Sequence, residues 1–136
     1  MAVELRHDGS AFSPEQFVNL AQRVWGKPID LTPTAAAIGT TINIGAWLDE
    51  RLVGTIRVLS DGYLMSMVPE IMVDPAHRRQ GIGLLLLQAA LKVAPGGRLF
   101  LASQPGDERF FEKAGFRRGP VGFVGRRDWR DVTGQF

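Results

Sequence analysis

The sequence predicts an α+β fold with a mixed sheet, and three features of its pattern support this. Residues 41–48 alternate between apolar and polar or small side chains, and Leu52 to Leu59 follows as a return strand after a short polar turn. From Tyr63 onward, strand-like and helix-like stretches alternate, which is typical of right-handed crossovers between parallel strands. The length suits one domain over residues 1–136. We expect antiparallel N-terminal strands and a central parallel pair, flanked by helices.

Two helices are predicted before the alternating stretch. Residues 13–16 read Ser-Pro-Glu-Gln, which combines an N-cap serine, a proline at the first helical position and a capping-box glutamine. This helix is expected to end at Gly26, where a Gly-Lys-Pro run stops it. Thr32-Pro33 predicts a shorter second helix that ends at Gly39. A first strand is expected over residues 2–6.

One long strand is predicted from Tyr63 to Val73, and Pro69 lies inside it. A proline cannot donate to a sheet ladder, so it indicates an edge or a bulge. We expect the strand to splay at residues 68–70, away from a parallel neighbour at residues 98–102. The other predicted elements are a helix over residues 83–93, a helix over 106–114 and final strands within 116–129.

Composition excludes several classes of function. The chain has no Cys, which excludes disulfide scaffolds, thiolate metal sites and thiol nucleophiles, and its two His residues are too few for a His-rich metal centre. The net charge is only +2, although 13 of the 16 basic residues are Arg, so no nucleic-acid partner is expected. No apolar run reaches about 18–20 residues and the first ten residues lack a signal-peptide core, so we expect a cytoplasmic protein without a membrane partner.

The loop between Val73 and Gly83 carries the strongest chemical signal. A strand is predicted to end at Val73 and a helix to begin near Gly83, so free backbone N–H groups and the helix dipole favour an anion there. Glycines 81 and 83 allow close approach, and Arg78 and Arg79 add positive charge. The pattern predicts a phosphate or pyrophosphate site. The alternative is an ordinary glycine turn with exposed arginines.

Two well-known glycine motifs do not fit this loop. The dinucleotide fingerprint needs a third glycine where Leu86 stands, and the P-loop needs a lysine directly after the position of Gly83. By contrast, Val73-x-Pro75-x-x-Arg78-x-x-Gly81-x-Gly83 resembles motif A of the GNAT superfamily of acyl-CoA-dependent N-acyltransferases. Residues 110–116, Phe-Phe-Glu-Lys-Ala-Gly-Phe, resemble the family's F-Y-x-K-x-G-F box. The resemblance covers roughly residues 41–129.

The resemblance implies an N-acetyltransferase that passes an acetyl group from acetyl-CoA, as co-substrate, to a primary amine. The acceptor is expected to be a small molecule or a peptide, attacking directly in a ternary complex without a metal. In the family, loop N–H groups hold the CoA pyrophosphate, the preceding strand pairs with the pantetheine arm, and the N–H of Ile71 polarises the thioester carbonyl. The implied cofactor-binding residues are Ile71, Met72, Val73, Arg78, Arg79, Gln80, Gly81, Ile82, Gly83, Gln104 and Phe111.

The motifs do not by themselves identify the catalytic base or the acid that protonates the leaving thiolate. Glu70 is the candidate base, because apart from Tyr63 it is the only ionisable side chain between Gly62 and Val73; Asp61 is the reserve. The alternative for Glu70 is a solvent-facing carboxylate or a pair with an arginine. Phe111 departs from the family, which commonly has a tyrosine there to protonate the leaving thiolate. Gln104 stands where the family often has an asparagine.

Other interpretations stay open at this stage. A catalytically silent acyl-CoA-binding or regulatory module is the first alternative, and an Arg-rich nucleic-acid-binding domain is a weaker one. Trp25, Trp47 and Tyr63 suit either an acceptor pocket or the core. A homodimer is also left open. The arginines near the C-terminus suit anion binding or a solvated surface: Arg117, Arg118, Arg126, Arg127 and Arg130.

Overall fold

The computed structural model describes residues 2–127 and confirms an α+β fold with a mixed sheet. Its elements are β1 (Glu4–His7), α1 (Pro14–Trp25), α2 (Leu31–Ile38), β2 (Ile42–Leu48), β3 (Arg51–Ser60), β4 (Ser66–Val68), β5 (Ile71–Val73), α3 (Ile82–Val93), β6 (Phe100–Leu101) and α4 (Glu108–Lys113). The strands lie in the order β1-β2-β3-β4-β6, and β5 also pairs with β3. Among the strands of residues 2–127, only β4 and β6 pair in parallel. Within residues 2–127, no helix is long and apolar enough to cross a membrane.

Helices α1 and α2 begin at side-chain caps. The Ser13 hydroxyl accepts a hydrogen bond from the Gln16 N–H at 3.1 Å, and the Gln16 side chain accepts one from the Ser13 N–H at 2.8 Å. This is the predicted capping box. Helix α2 begins at Leu31, one residue before the predicted start at Thr32. The reason is that the Asp30 carboxylate caps it by accepting the Thr32 N–H at 3.2 Å.

The sheet is covered on both faces. Helices α1 and α2 pack one apolar cluster against it, which includes Phe17, Leu20, Ile38, Trp47, Leu52 and Met72. Helix α3 packs the other face, in a cluster that includes Ile44, Val53, Ile56, Val58, Leu86 and Leu87. Because β2 and β3 lie between these layers, most of their residues are buried on either side.

The predicted long strand over residues 63–73 was wrong in its extent, because it is divided in two. Strand β4 pairs Met67 with Leu59, and β5 pairs Ile71 with Ile56, so the two residues of β3 between these pairs face three residues, 68–70, of the other segment. One extra residue is the signature of a β-bulge, and Pro69 lies in it. Strand β4 pairs with β6 as far as Val68 and Leu101, and β5 pairs only with β3. The predicted splay is confirmed.

The final strands predicted within residues 116–129 were wrong for residues 116–127, which contain no strand; residues 128 and 129 lie outside the described residues. Glycines at positions 119, 122 and 125 and a proline at 120 interrupt this stretch. Glycine weakens a strand and proline removes a donor, so the apolar residues between them do not suffice. Strand β6 is likewise shorter than the predicted residues 98–102.

Candidate active site

The splay exposes one edge of β5. The Asp74 N–H donates to the Val53 carbonyl at 2.8 Å, and the Glu70 carbonyl accepts the Arg57 N–H at 3.5 Å. Alternate residues of an antiparallel strand bond the same neighbour, so residues 70, 72 and 74 face β3. The backbone N–H and C=O groups of Ile71 and Val73 therefore point into the gap. Met72 lies between them with its side chain buried in the α1–α2 cluster, so it does not face the gap.

Asp74 anchors the loop that follows this edge. One oxygen of its buried carboxylate accepts the Ala76 N–H and the other accepts Nη2 of Arg23, both at 3.0 Å. Burial by itself would raise the pKa of Asp74, but the Ala76 N–H and the Arg23 guanidinium outweigh it and hold the pKa below its ordinary value. The start of the loop is thus tied both to β3 and to α1.

The loop from Arg78 to Gly81 forms a backbone nest. Arg79 has φ 62° and Gly81, the N-cap of α3, has φ 82°. Among the described hydrogen bonds, none is donated by the backbone N–H groups of residues 78–83. Residues 78–81 are exposed, whereas the Ile82 side chain is buried and anchors the helix. These N–H groups can hold an anion, as the sequence predicts.

Phe110 forms a wall beside this nest. A Cβ atom on Gly83 would lie 2.9 Å from Cζ of Phe110 and 3.8 Å from Cγ2 of Val73. The ring therefore lies over the first turn of α3, next to the end of β5, and it is 38% exposed. Sequence reasoning assigned no role to Phe110, although the residue stands first in the aromatic box next to Phe111.

Phe111 and Gln104 occupy different surroundings. The Phe111 ring is partly buried against the α3-side core, with centroids 5.1 Å from Phe110 and 6.5 Å from Phe116. Gln104 lies in an exposed turn after β6, where its carbonyl accepts the Asp107 N–H at 3.0 Å. The Arg78 side chain reaches back to β5, since its Nε donates to the Val73 carbonyl at 3.4 Å.

Glu70 lies in the bulge and pairs with Arg57 on the neighbouring strand. Nε of Arg57 contacts Oε1, and Nη2 donates to Oε2 at 3.0 Å, so the pair is bidentate. The two side chains are 13% and 15% exposed. The guanidinium also lies 5.7 Å from the centre of the Phe17 ring. Of the alternatives for Glu70 at the sequence level, the structure shows the arginine pair.

Asp61, the reserve base, has a different environment. One of its oxygens accepts the N–H groups of Tyr63, Leu64 and Met65, at 2.8, 2.7 and 3.1 Å. These bonds, that from Tyr63 above all, lower the pKa of Asp61 below its ordinary value. A lower pKa makes a carboxylate a weaker base, so the role best supported for Asp61 is to stabilise the β3–β4 turn.

The family model of the acetyltransferase (GNAT) domain matches residues 10–127. The chain belongs to the GNAT family. The resemblance to the acyl-CoA-dependent N-acyltransferases stated from its motifs is therefore confirmed at the level of the family. Over 46 residues the chain is 50% identical to the mycothiol acetyltransferase of Brachybacterium faecium. That match covers 34% of this chain and only 12% of the length of that protein.

Solved structures show the same GNAT fold. A GNAT family acetyltransferase from Streptococcus pneumoniae has a TM-score of 0.74 and 23% identity, covering 92% of this chain and 99% of its own. An aminoglycoside N-acetyltransferase solved in complex with CoA has a TM-score of 0.68 and 15% identity, covering 93% and 95%. At these identities the likeness concerns the fold.

A pocket that opens to solvent adjoins Glu70 in the GNAT domain. It has a volume of about 350 Å³ and lies between α1, α2 and the bulge, with Phe17, Trp25 and Ile29 among its lining residues. Of the other aromatic candidates, Trp47 is buried and its Nε1 donates to the Ala11 carbonyl at 2.8 Å, and Tyr63 is 82% exposed on the β3–β4 loop. Trp25 is thus the one of these three that lines the pocket.

The described arginines of the C-terminal part of the GNAT domain do not line the pocket beside Glu70. Arginines 117, 118, 126 and 127 are exposed, and Arg118 pairs with Glu112 at 3.3 Å; Arg130 lies outside the described residues. Within residues 2–127, no group of three or more His, Asp or Glu side chains is placed to hold a metal ion.

Proposed function

We propose that this GNAT domain transfers an acetyl group from acetyl-CoA to the primary amine of a small molecule or peptide, by direct attack in a ternary complex. One observation carries the proposal: the open backbone edge at Ile71 and Val73 leads directly into the N–H nest of residues 78–83. Acetyl-CoA joins an amide-containing arm to a pyrophosphate. It therefore needs a strand edge and an anion site in succession.

Each part of the cofactor has a matching group. The nest N–H groups and the positive end of α3 bind the pyrophosphate, with Arg78 and Arg79 adding charge. The pantetheine amides pair with Ile71 and Val73 as an added strand would, and the bond from Arg78 to the Val73 carbonyl gives way to them. The Ile71 N–H then donates to the thioester carbonyl oxygen, where negative charge develops during attack.

Glu70 is the proposed base. It stands next to Ile71, at the mouth of the pocket, and its carboxylate keeps acceptor positions that Arg57 does not use. The ammonium of the acceptor loses a proton to Glu70, directly or through water, and the free amine attacks the carbonyl carbon. The tetrahedral intermediate carries a positively charged nitrogen, which gives up its extra proton to water, and it collapses to the amide with cleavage of the C–S bond. Phe111 offers no proton, so the CoA thiolate leaves as such, which a thiol pKa of about 8.5 permits, or takes a proton from water.

A catalytically silent acyl-CoA-binding module is the second candidate. Two observations favour it: Phe111 has no hydroxyl group, and the Glu70 carboxylate is already held by Arg57. Such a module would bind acetyl-CoA at the same nest without turnover. Binding and turnover must therefore be measured separately.

The test compares Gly81→Asp with Gly81→Asn. Gly81 has φ 82°, a conformation that Asp and Asn tolerate better than other side chains, and a Cβ there meets nothing within 4 Å. Both residues are also good N-caps, so both variants should fold. The two differ in one negative charge beside the pyrophosphate, so we expect Gly81→Asp to weaken CoA binding at least about tenfold relative to Gly81→Asn.

Calorimetry measures CoA affinity, and thiol release with mass detection of the acetylated amine measures turnover. Equal CoA affinity in the two variants would contradict a pyrophosphate site at the loop of residues 78–83. Binding of acetyl-CoA without acetylation of any amine in a broad panel would favour the silent module. The cytoplasmic location and the homodimer stay predictions.

A further inference from the structure

The pocket beside the bulge has an unusual balance of charge. Its lining residues include one cation, Arg57, and one anion, Glu70, held side by side, and no other charged side chain. The two side chains are mostly buried against each other, so their charges offset each other at short range, while the pocket itself opens to solvent. The Arg57–Glu70 pair therefore adds no net charge to this pocket, and a further cation, Lys27, lines an adjoining pocket that shares Trp25 and Ile29.

The neutral balance discriminates between kinds of amine. An amine that carries only its ammonium group competes with Arg57 for the Glu70 carboxylate and leaves the site with a net positive charge that nothing in the acceptor offsets. An acceptor with an ammonium and a carboxylate side by side keeps the total at zero. Arg57 retains three N–H donors beyond the two that Glu70 uses, and the Glu70 carboxylate retains two acceptor positions.

Apart from Thr34, whose hydroxyl donates to the Asp30 carbonyl at 2.7 Å, the rest of the pocket wall is mainly apolar. Phe17, Trp25, Ile29 and Ala37 contribute to it from α1, α2 and the chain between them. Of these four side chains, only Trp25 carries a hydrogen-bonding group, the indole N–H, so the wall offers few partners for further polar groups of an acceptor. The four suit one hydrocarbon side chain instead.

A row of apolar side chains lies on the same face of the sheet as Arg57. Leu59 stands two residues beyond Arg57 on β3, and it is paired with Met67, which is paired in turn with Phe100. Directly paired residues share a face, and so do alternate residues of a strand. All three side chains are partly exposed, so the surface that leads away from the pocket is also apolar.

We propose that the acceptor is a zwitterionic α-amino acid with an apolar side chain. Its carboxylate binds the free N–H donors of Arg57, its ammonium binds Glu70, and its side chain packs against Phe17 and Ile29. The ammonium then lies beside Glu70 and next to the thioester that Ile71 positions. This inference rests on the proposed acetyl transfer. It makes a polycation or the N-terminus of a peptide the poorer acceptor, since neither pairs its amine with an adjacent carboxylate.

The experiment uses acceptors that share one side chain. L-leucine carries both charges, L-leucinamide lacks the carboxylate charge and 3-methylbutylamine lacks the carboxylate altogether. A polycationic aminoglycoside is added as a fourth acceptor. With saturating acetyl-CoA, we expect kcat/KM for leucine to exceed that for each of the others at least about tenfold.

Variants of Arg57 test the assignment of the carboxylate. Arg57→Gln should remove the preference for leucine, mainly by raising its KM, and Arg57→Lys should keep part of it because the charge remains. Arg51→Gln is the matched control, since Arg51 lies on the same strand, is exposed and does not line the pocket. Melting temperatures show whether each variant folds. If Arg57→Gln does not fold, Arg57→Lys still provides the test.

The outcomes separate the two proposals. If leucinamide, methylbutylamine or the aminoglycoside is acetylated as well as leucine, the amino-acid inference is overturned and acetyl transfer stands. The inference is also overturned if Arg57→Lys and Arg57→Gln keep the full preference for leucine. If the protein binds acetyl-CoA and acetylates none of the four acceptors nor any amine of a broad panel, the proposed catalysis fails, and this inference fails with it.

Discussion

The ring of Phe110 occupies the space that a side chain at position 83 would need: a Cβ there would lie 2.9 Å from Cζ of Phe110. Gly81, two residues earlier, has open space around it and a φ of 82°. The two glycines of the motif are therefore required for different reasons. Gly83 allows an aromatic ring to pack on the first turn of α3, and Gly81 provides the backbone angle and the access to the nest.

Gly83→Ala and Phe110→Ala should be energetically coupled. In the parent protein the new methyl group meets the Phe110 ring, whereas in a Phe110→Ala background it meets no ring and only improves helix propensity. We expect a coupling free energy of about 1 kcal/mol, which is within the usual range for residues in contact. Urea unfolding of both single variants and the double variant gives this value. Additive effects would contradict the contact.

Glu70→Gln should remove the acid limb of the pH profile of kcat/KM. A base must be deprotonated to act, so activity that depends on Glu70 falls as the pH falls, and a Gln cannot titrate. We expect a loss of about 10²–10⁴-fold, the usual contribution of a positioned base. Asp61→Asn is the companion variant and should keep the acid limb, because Asp61 is bound by three backbone N–H groups. A lost limb in Asp61→Asn alone would reverse the assignment.

Asp74 should stabilise the protein at neutral pH and lose this contribution in acid. Its pKa in the folded state lies below the ordinary value of 3.8, so the stabilisation is fully present above that value and disappears as the pH falls through the folded pKa. Asp74→Asn should cost about 1 kcal/mol at pH 7, since the pair with Arg23 is lost. The difference between parent and variant should shrink when unfolding is measured at progressively lower pH.

Arg23→Gln serves as the control for this pair, because it removes the same partner from α1. Its cost should decline over the same acid range. A cost of Asp74→Asn that is unchanged down to the lowest pH would show that the carboxylate charge is not what stabilises the loop.

Phe111→Tyr should raise kcat if thiolate departure limits the rate. The substitution adds one hydroxyl at the position where the family commonly has its acid, and the ring is only partly buried. Phe110→Tyr is the matched control: its ring is on the surface of the nest, so we expect little change in kcat. A buried hydroxyl without a partner would instead cost about 1–3 kcal/mol. A lower melting temperature of Phe111→Tyr with unchanged turnover would assign Phe111 to the core.

Features that depend on neighbours in the chain were predictable from the sequence. The capping box of Ser13 and Gln16, the bulge at Pro69 and the left-handed glycine at position 81 each follow from a few consecutive residues. The prediction of final strands was wrong for residues 116–127, because alternating apolar residues form a strand only where a partner accepts their hydrogen bonds.

The sequence by itself determined the class of the fold, the loop that opens α3 and the family, since local backbone preferences and short motifs encode all three. Only the tertiary structure brought Arg57 to Glu70, Arg23 to Asp74 and Phe110 to Gly83. The members of each pair come from different elements, and their distances depend on how the sheet and helices pack. Long-range packing therefore decided the charge and shape of the pocket beside Glu70, which no stretch of consecutive residues encodes.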